Sequence, residues 1–297
     1  MVLRGLVHVL SLLPLVQALR LGGFLGRGAW YLSPSLRRDM RASLAVAFPD
    51  LDAEARDVIA RDSLVHLGWV GGEMVSFIGR GEAIARYVEV GPEALAMLER
   101  ARGRGAGVVL VMGHIGNWEL TCRMAPILGA VGVIAKRSWH RSIDDMAERA
   151  RIANGVATLW RNDPSTGRQM LSLLRSGGAL GLLIDQDIAS VKNAFVPFFG
   201  RAAATPRAAA ELALRFGATV LVVTMHRRGD RAGEGHQLEV VEVPYEQAPT
   251  DPDAEVLRLT AACARIQEEA IRRHPAEWVW MHRRWKTRPV AEVERAA

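Results

Sequence analysis

Residues 108–120 read VVLVMGHIGNWEL, and this stretch predicts the fold of the chain around it. Its first five residues are apolar and mostly β-branched, as expected for a parallel strand that is covered on both faces. Gly113 and Gly116 then allow the backbone to turn tightly around a histidine. Asn117 can cap a helix that begins at Trp118. The stretch therefore predicts a buried strand, a glycine turn and a helix.

The histidine of this turn, His114, is a candidate general base. In α/β folds, catalytic groups lie where a strand ends and a helix begins. Glu119 follows five residues later, and a carboxylate near an imidazole can fix its tautomer and stabilise the imidazolium. We interpret Glu119 as the group that orients His114. A capping or core histidine is the alternative, which this common spacing alone would favour.

The composition indicates a folded, basic protein. Of 297 residues, 49% are hydrophobic and 24% are charged, which excludes a disordered chain. The net charge of +6 suggests an anionic partner, namely nucleic acid, an acidic membrane surface or a phosphorylated substrate, although an arginine-rich coding bias contributes to it. Cys122 and Cys263 show neither a pairing pattern nor metal-ligand spacing, so we expect two core thiols in a reducing compartment.

The first 32 residues form an apolar segment. Between Arg4 and Arg20 lie 15 residues without a formal charge except on His8. As a helix they would span about 22 Å, less than the bilayer core of about 30 Å. We expect a helix at the membrane interface, with Arg4, Arg20 and Arg27 facing headgroups. A core helix and a full span are the alternatives.

Strands alternate with helices along most of the remaining chain, which predicts an α/β fold with a mainly parallel central sheet flanked by helices. Helices are predicted from Pro34 and from Asp52, and another is predicted to begin at Thr205. We divide the chain into a membrane-associating helix over residues 1–32 and an α/β domain over 33–297. Within that domain, residues 33–80 are a helical lead-in.

Two further clusters combine polar and aromatic residues. Asp185-Gln186-Asp187 ends a predicted strand, and a loop with the motifs FVPFFG at 195–200 and ATP at 204–206 follows. Either aspartate can support the base or hold the acceptor, or both can act as turn and cap residues. Residues 277–286 read EWVWMHRRWK. Tryptophans among basic residues suit a membrane interface or an anionic headgroup, and less well a nucleic acid.

Several reaction classes lack their motifs. The chain has no H-E-x-x-H metal motif, no G-x-S-x-G nucleophile elbow and no phosphate loop ending in Gly-Lys-Ser/Thr. We therefore predict no metal site, no cofactor and no nucleic-acid partner. The reaction class that remains is one in which a general base of the protein acts directly on a substrate hydroxyl.

The three clusters, in this order, resemble the bacterial lipid A late acyltransferases, the lauroyl/myristoyl transferase family. The motifs are GHIGNWE at 113–119, the DQD, FVPFFG and ATP run at 185–206, and EWVWMHRRWK at 277–286, with weaker matches in RASLAVAFPDL at 41–51 and in residues 151–155. The resemblance covers nearly the whole chain. It implies a glycerolipid acyltransferase-like fold with an N-terminal anchor, located on the cytoplasmic side of the inner membrane.

The resemblance also implies a reaction. The His-x4-acid motif is catalytic in this family and maps onto His114 and Glu119. The donor would be an acyl thioester of acyl carrier protein or coenzyme A, and the acceptor a Kdo-bearing lipid A precursor. Backbone N–H groups near Gly116 and Asn117, or an arginine, would stabilise the oxyanion. The candidate substrate-binding residues are Asn117, Arg137, Arg151, Arg161, Asp185, Asp187 and Arg284.

Three alternatives remain open at the level of sequence. Ser43 replaces an asparagine that is usual in the family, so the acceptor is less secure than the reaction, and another anionic glycolipid or a phospholipid is possible. A thioesterase would use the same histidine on water. A non-catalytic basic protein that binds membranes or nucleic acid would not need His114 at all.

Overall fold

The computed structural model describes residues 13–78, 80–138 and 141–289. Most of the uncharged segment between Arg4 and Arg20 lies outside these ranges. Among the helices within them, none is both long enough and apolar enough to cross a bilayer. The prediction that the N-terminal segment associates with a membrane is therefore not confirmed by the fold.

A mostly parallel sheet forms the centre of the described structure. Its strands, in spatial order, are β1 (Val88–Val90), β9 (His236–Glu242), β8 (Thr219–Arg227), β2 (Val108–Met112), β5 (Ala179–Leu183), β3 (Val131–Ala135) and β4 (Val156–Trp160). The five strands from β8 to β4 are parallel, whereas β9 is antiparallel to β8. The α/β prediction with a mainly parallel sheet is thus confirmed.

Strand β2 lies near the middle of this sheet and is buried along its whole length. Leu110 and Met112 pack into one hydrophobic cluster, and Val109 and Val111 pack into another. Because successive side chains of a strand point to opposite faces, these two clusters lie on opposite sides of the sheet. The apolar run that predicted a strand covered on both faces therefore has the expected environment.

Helices flank the sheet and fill the lead-in region. Ser33 and Asp52 cap two of the predicted helices, because their side chains accept hydrogen bonds from the backbone N–H groups of Leu36 and Ala55. The helices are α1 (Leu15–Leu32), α2 (Pro34–Ala47), α3 (Ala53–Ser76), α4 (Gly81–Tyr87), α5 (Pro92–Gly103), α6 (Ala125–Leu128), α7 (Arg141–Ala153), α8 (Thr166–Arg175), α9 (Ala208–Phe216) and α10 (Pro252–Arg273).

The segment interpreted as an aromatic loop is instead a β-hairpin. Strands β6 (Asn193–Phe198) and β7 (Arg201–Pro206) pair in antiparallel fashion. Phe199 and Gly200 form the turn with φ angles of 52° and 72°, the positive values that two-residue hairpins favour. The helix predicted to begin at Thr205 begins at Ala208 instead, because Thr205 belongs to the second strand.

The tryptophans near the C-terminus lie in the core, which corrects the expectation of a membrane-facing cluster. Trp278, Trp280 and Trp285 are all buried, and they pack with Phe198 and Phe199 of the hairpin. Each indole N–H has an acceptor: a carboxylate oxygen of Asp185, or the carbonyl of Pro275 or Phe198. These rings therefore have hydrophobic and hydrogen-bonding partners inside the protein.

Helix α1 packs against α3 through glycines. A Cβ atom placed on Gly22 would lie 2.1 Å from the carbonyl oxygen of Gly68, and one on Gly26 would lie 2.0 Å from that of Leu64. The two backbones are therefore in direct contact along one face of α1. Its other face leaves large apolar side chains in solvent, among them Phe24 and Leu32 with 72% and 84% exposure.

Candidate active site

His114 and Asp185 follow the carboxyl ends of the neighbouring parallel strands β2 and β5. The turn that carries the histidine needs Gly116, whose φ is +60° and whose Cβ position would lie 2.2 Å from the carbonyl oxygen of Met225. The C-terminal segment holds this turn, because the Gly116 N–H donates to the Glu277 carbonyl at 3.0 Å. The fold thus brings two clusters of the sequence to one edge of the sheet.

The carboxylate that contacts His114 is Asp185, whereas the sequence pattern pointed to Glu119. The Nδ1 atom of His114 lies 2.9 Å from Asp185 Oδ1, and the backbone N–H of His114 donates to Oδ2 at 2.7 Å. The Trp278 indole donates to Oδ2 at 2.8 Å. The alternative in which Asp185 supports the base therefore agrees with the geometry.

The environment of Asp185 keeps it ionised. Burial alone would raise its pKa, but the charge of His114 and the hydrogen bonds from His114 and Trp278 hold the pKa well below its ordinary value. An ionised carboxylate can only accept hydrogen bonds, so Nδ1 of His114 must carry the hydrogen that it donates to Asp185. The His114 tautomer is thereby assigned with its hydrogen on Nδ1, which leaves a lone pair on Nε2. Nε2 is the basic atom of this site.

Glu119 forms an ion pair with Arg151. Their side chains approach at 2.5 Å and 2.8 Å, and each is 15% exposed. The predicted helix after Asn117 is a 3-10 helix over Trp118–Met124, capped by the Asn117 side chain. The sequence spacing alone could not place Glu119, because the turn before it contains a glycine with positive φ. A catalytic role for Glu119 stays a prediction.

His114 lines a cavity of about 850 Å³. The polar side chains of its wall include Glu119, Arg151, Arg161 and Asp187. Its apolar side chains include Leu110, Met112, Met124, Val133, Leu182 and Leu183. A cavity of this size, mainly apolar with a few polar groups, is typical of a ligand-binding site.

The remaining candidate substrate-binding residues differ in their positions. Asp187 lines the cavity and accepts hydrogen bonds from the backbone and side chain of Thr287 at 2.6 Å and 2.9 Å. Arg161 lines the cavity with no side-chain partner among the described residues. Arg137 is exposed and stacks over Trp160, at 4.3 Å from the ring centroid, outside the cavity wall.

Two predicted substrate-binding residues make structural contacts instead. Asn117 is fully buried, and its amide donates to Glu73 at 2.8 Å. Arg284 is 1% exposed, donates to the Ala204 carbonyl and to Thr205 Oγ1, and has a pKa that burial lowers to about 10. Neither residue lines the cavity. The side-chain donors of both residues are used inside the protein, and a substrate-binding role for either stays a prediction that these contacts do not favour.

Sequence reasoning missed Gln186 and His282. The Gln186 amide nitrogen lies 2.6 Å from His282 Nε2 and 3.0 Å from His114 Nε2. Both residues stand inside motifs that were recognised, but neither was given a role. The available signal was their position in the sequence. Gln186 comes directly after Asp185, just beyond the carboxyl end of β5, and His282 is the one imidazole among the arginines and the lysine of 277–286.

Sequence reasoning also missed a second buried polar cluster. Glu73 is fully buried and accepts hydrogen bonds from Arg227, Tyr87 and Asn117, and it contacts His236 at 3.1 Å. The charge of Arg227 and the hydrogen bond of His236 outweigh burial, so the Glu73 pKa lies well below its ordinary value. This Glu73 cluster joins α3 to β8 and to the turn that follows β2.

The described residues contain no group of three or more histidine, cysteine or acidic side chains with the geometry to hold a metal ion. The two cysteines are free and buried, as expected. Burial raises the pKa of each thiol to about 12. The chemistry of the site therefore centres on the imidazole of His114.

Comparison with known proteins gives one family. The family model described as bacterial lipid A biosynthesis acyltransferase matches residues 2–287. The chain is 28% identical to the lipid A biosynthesis palmitoleoyltransferase of Escherichia coli K12 over 85% of its length and 79% of that protein. It is 27% identical to the lipid A biosynthesis lauroyltransferase of the same organism, over 96% of the chain and 90% of that protein.

Proposed function

The chain belongs to the bacterial lipid A biosynthesis acyltransferase family, and from this premise we propose that it moves a fatty acyl chain from a thioester donor to a hydroxyl of a lipid A precursor. It is an acyltransferase of lipid A biosynthesis, as the names of its relatives agree. The proposal adds the donor class, the catalytic base and the place of the reaction.

The observation that carries this proposal is the position of His114. Its Nδ1 is held by Asp185, and the ring lines a cavity of about 850 Å³ whose wall is mainly apolar. An acyl chain bound along the apolar side chains can place its thioester carbon beside His114. A hydroxyl that approaches from outside would then meet the basic nitrogen and the electrophilic carbon together.

The proposed mechanism is direct acyl transfer. His114 Nε2 takes the proton of the acceptor hydroxyl while the hydroxyl oxygen attacks the thioester carbon. The carbonyl electron pair moves onto oxygen, and Asp185 stabilises the imidazolium. Collapse of the tetrahedral intermediate breaks the C–S bond, and the imidazolium returns its proton to the leaving thiolate. General base catalysis of this kind typically contributes about 10²–10⁴-fold to the rate.

The co-substrate is the thioester itself, carried by acyl carrier protein or coenzyme A, and the mechanism uses no cofactor. Arg161 and Lys136 also line the cavity. Their positive charge suits the phosphate that both carriers possess and the phosphates of an anionic glycolipid. The same charge would serve another anionic glycolipid, so the acceptor is the part of the proposal that needs a direct assay.

We further propose that α1 rests on the cytoplasmic face of the inner membrane. Phe24, Tyr31 and Leu32 are 72%, 65% and 84% exposed, and Arg20 and Arg27 lie on the same helix in solvent. An apolar face with flanking arginines suits an anionic interface. Replacing both Phe24 and Leu32 by glutamate should weaken binding to anionic phospholipid vesicles, whereas Leu257→Glu on α10, where the side chain is 46% exposed, should not.

The central test is a matrix of donors and acceptors. Two donors carry a labelled acyl chain, one as the thioester of acyl carrier protein and one as the thioester of coenzyme A. Each donor is combined with Kdo-lipid A precursor, with a mannosylated phosphoinositide and with lysophospholipid. We expect label to reach Kdo-lipid A precursor. His114→Ala should abolish transfer and leave the fold intact, with a lowered thermal midpoint because the buried Asp185 carboxylate loses its ring partner.

The products separate the alternatives. Free fatty acid as the main product in the presence of every acceptor would indicate a thioesterase. Transfer by His114→Ala at the wild-type rate would contradict the assignment of the base. Arg265→Ala, a change at an exposed surface arginine that pairs with Glu269, is the matched control and should leave transfer unchanged.

A further inference from the structure

The amide of Gln186 stands over the face of the His114 ring. Its nitrogen lies 3.1 Å from Nδ1 and 3.0 Å from Nε2. A nitrogen at nearly equal distances from both ring nitrogens and in the ring plane would overlap the carbon between them. The amide therefore lies above that plane, and the in-plane lone pair of Nε2 stays available to a substrate hydroxyl.

His282 determines which way this amide points. Its Nε2 lies 2.6 Å from the Gln186 nitrogen. Burial, and then the charge of His114, lower the pKa of His282 to about 4, so the ring is neutral at neutral pH and can accept a hydrogen bond. The loop around it is held by hydrogen bonds from Ser43 Oγ to the His282 carbonyl and from the His282 N–H to Val279.

A primary amide carries two hydrogens, and His282 uses one of them. Gln186 also lines the cavity together with His114. Because its contact with His114 is to the face of the ring, the second hydrogen meets no in-plane lone pair of the imidazole. An amide with one hydrogen committed and one available beside the base is a preorganised donor.

Several of the donors expected from the sequence are already engaged. The Gly116 N–H donates to the Glu277 carbonyl at 3.0 Å, and the Asn117 side chain is buried against Glu73. Two N–H groups of Arg151 are held by Glu119. Stabilisation of a developing oxyanion by any of these groups would first require an existing bond to break.

We propose that Gln186 donates the hydrogen bond that stabilises the tetrahedral oxyanion, and that His282 is the positioning residue that keeps the Gln186 amide nitrogen turned towards His114. This inference rests on the proposed acyl transfer. When the hydroxyl attacks, the thioester carbonyl oxygen gains the electron pair and accepts the second amide hydrogen. When the C–S bond breaks, that pair returns to re-form the carbonyl.

The first test removes the donor without adding charge. Gln186→Met should lower kcat about 10²–10³-fold, the usual effect of losing one oxyanion donor. The KM for the donor should stay close to wild type, because the bond forms only in the transition state. Gln186→Glu, which keeps acceptor oxygens and has no N–H, should lose activity as well. Gln169→Met, on an exposed face of α8, is the matched control.

The second test is a double-mutant cycle. His282→Phe alone should lower kcat by a smaller factor than Gln186→Met. In the Gln186→Met background it should cause no further loss, because there is no amide left to position. His274→Phe, at a histidine that stacks on His226, is the matched control. Circular dichroism and the thermal midpoint check the fold of every variant.

The outcomes are distinguishable. A wild-type chain that transfers no acyl group contradicts the proposed function itself. Wild-type kcat in Gln186→Met or Gln186→Glu, with transfer still lost in His114→Ala, overturns the oxyanion role alone. Losses that multiply in the double variant overturn the positioning role of His282, since a merely structural histidine would act independently of Gln186.

Discussion

Asp185 and Glu73 are two buried carboxylates with opposite surroundings. Asp185 contacts a titratable imidazole and an indole N–H, and the imidazole reaches a large cavity. Glu73 is enclosed by an arginine, a histidine, a tyrosine and an asparagine, away from that cavity. Both pKa values lie well below the ordinary range. A depressed pKa alone therefore does not distinguish a catalytic carboxylate from a structural one.

The difference lies in what the partner can do. Arg227 stays protonated and is itself buried, so the charge on Glu73 is neutralised permanently. Asp185 instead contacts the imidazole of His114, which lines the cavity, so its charge can stabilise the imidazolium that forms when the ring takes a proton from a substrate. Four ways of separating the two roles follow from this difference.

The largest effect is expected from Asp185→Asn. The amide cannot stabilise the imidazolium, and it favours the wrong tautomer of His114. We expect kcat to fall by up to about 10⁴-fold, as in other histidine–aspartate pairs, with little change in KM. Steady-state kinetics on the labelled donor provide the measurement. A loss of less than tenfold would show that Asp185 only packs against the turn.

Glu73→Gln should act mainly on stability. It leaves the guanidinium of Arg227 buried without its countercharge, which typically costs about 3–5 kcal/mol. Urea unfolding should show this loss, while the folded protein keeps near-wild-type kcat. The double variant Glu73→Gln/Arg227→Met should recover part of the stability, because it no longer buries a lone charge. Equal stability of the single and double variants would contradict this account.

Acid should destabilise the protein in two stages. Burial, and then the charge of Arg227, lower the pKa of His66 to about 3, and that of His282 is about 4, so both are neutral in the folded chain. Below pH 6.5 the histidines of the unfolded chain bind protons, whereas these two rings stay neutral in the folded chain. The free energy of unfolding therefore falls as the pH decreases. Each ring contributes at most about 1.4 kcal/mol per pH unit.

The second stage begins near pH 4. The carboxylates of Glu73 and Asp185 have depressed folded pKa values, so their contribution is present above the unfolded pKa and is lost as the pH falls further. Urea midpoints from pH 8 to pH 4 measure the first stage. His66→Phe should flatten that part of the curve, and an unchanged slope would argue against a neutral buried His66.

Asn117→Ala should have the smallest effect, and it bears on both regions. Asn117 donates to Glu73 and caps the 3-10 helix that carries Glu119. Loss of a cap and of one hydrogen bond to a charged group should cost about 1–2 kcal/mol. Thermal unfolding gives the loss, and kcat should fall only slightly. A severe loss of kcat would mean that the turn, rather than Asp185, positions His114.

The sequence predicted what depends on local pattern. The apolar run of β2, the Ser33 and Asp52 caps and the histidine at the strand end are all visible in a few adjacent residues, and the structure contains each of them. The hairpin was missed because β6 and β7 contain Pro197 and several alanines, which are weak strand formers. The two strands form through their pairing with each other.

The candidate site was only partly predictable, because its contacts are long-range. Asp185 is 71 residues from His114, and Glu119 is five, so spacing pointed to Glu119, whereas the ring contacts Asp185. Arg284 and the tryptophans around it were assigned to lipid because charge and aromaticity look alike at a membrane and in a core. Only the hairpin that packs on them distinguishes the two environments.

The glycine contact between α1 and α3 has a consequence for anyone who wishes to handle this enzyme in water. Deleting the N-terminal helix to gain solubility would uncover the backbone of α3 at Gly68 and Leu64, where the two helices touch without intervening side chains. The deletion would remove the exposed apolar face of α1 but expose a new aggregation-prone surface on α3. Polar replacements on the outward face of α1, at Phe24, Leu25 and Leu32, would improve solubility and leave that contact intact.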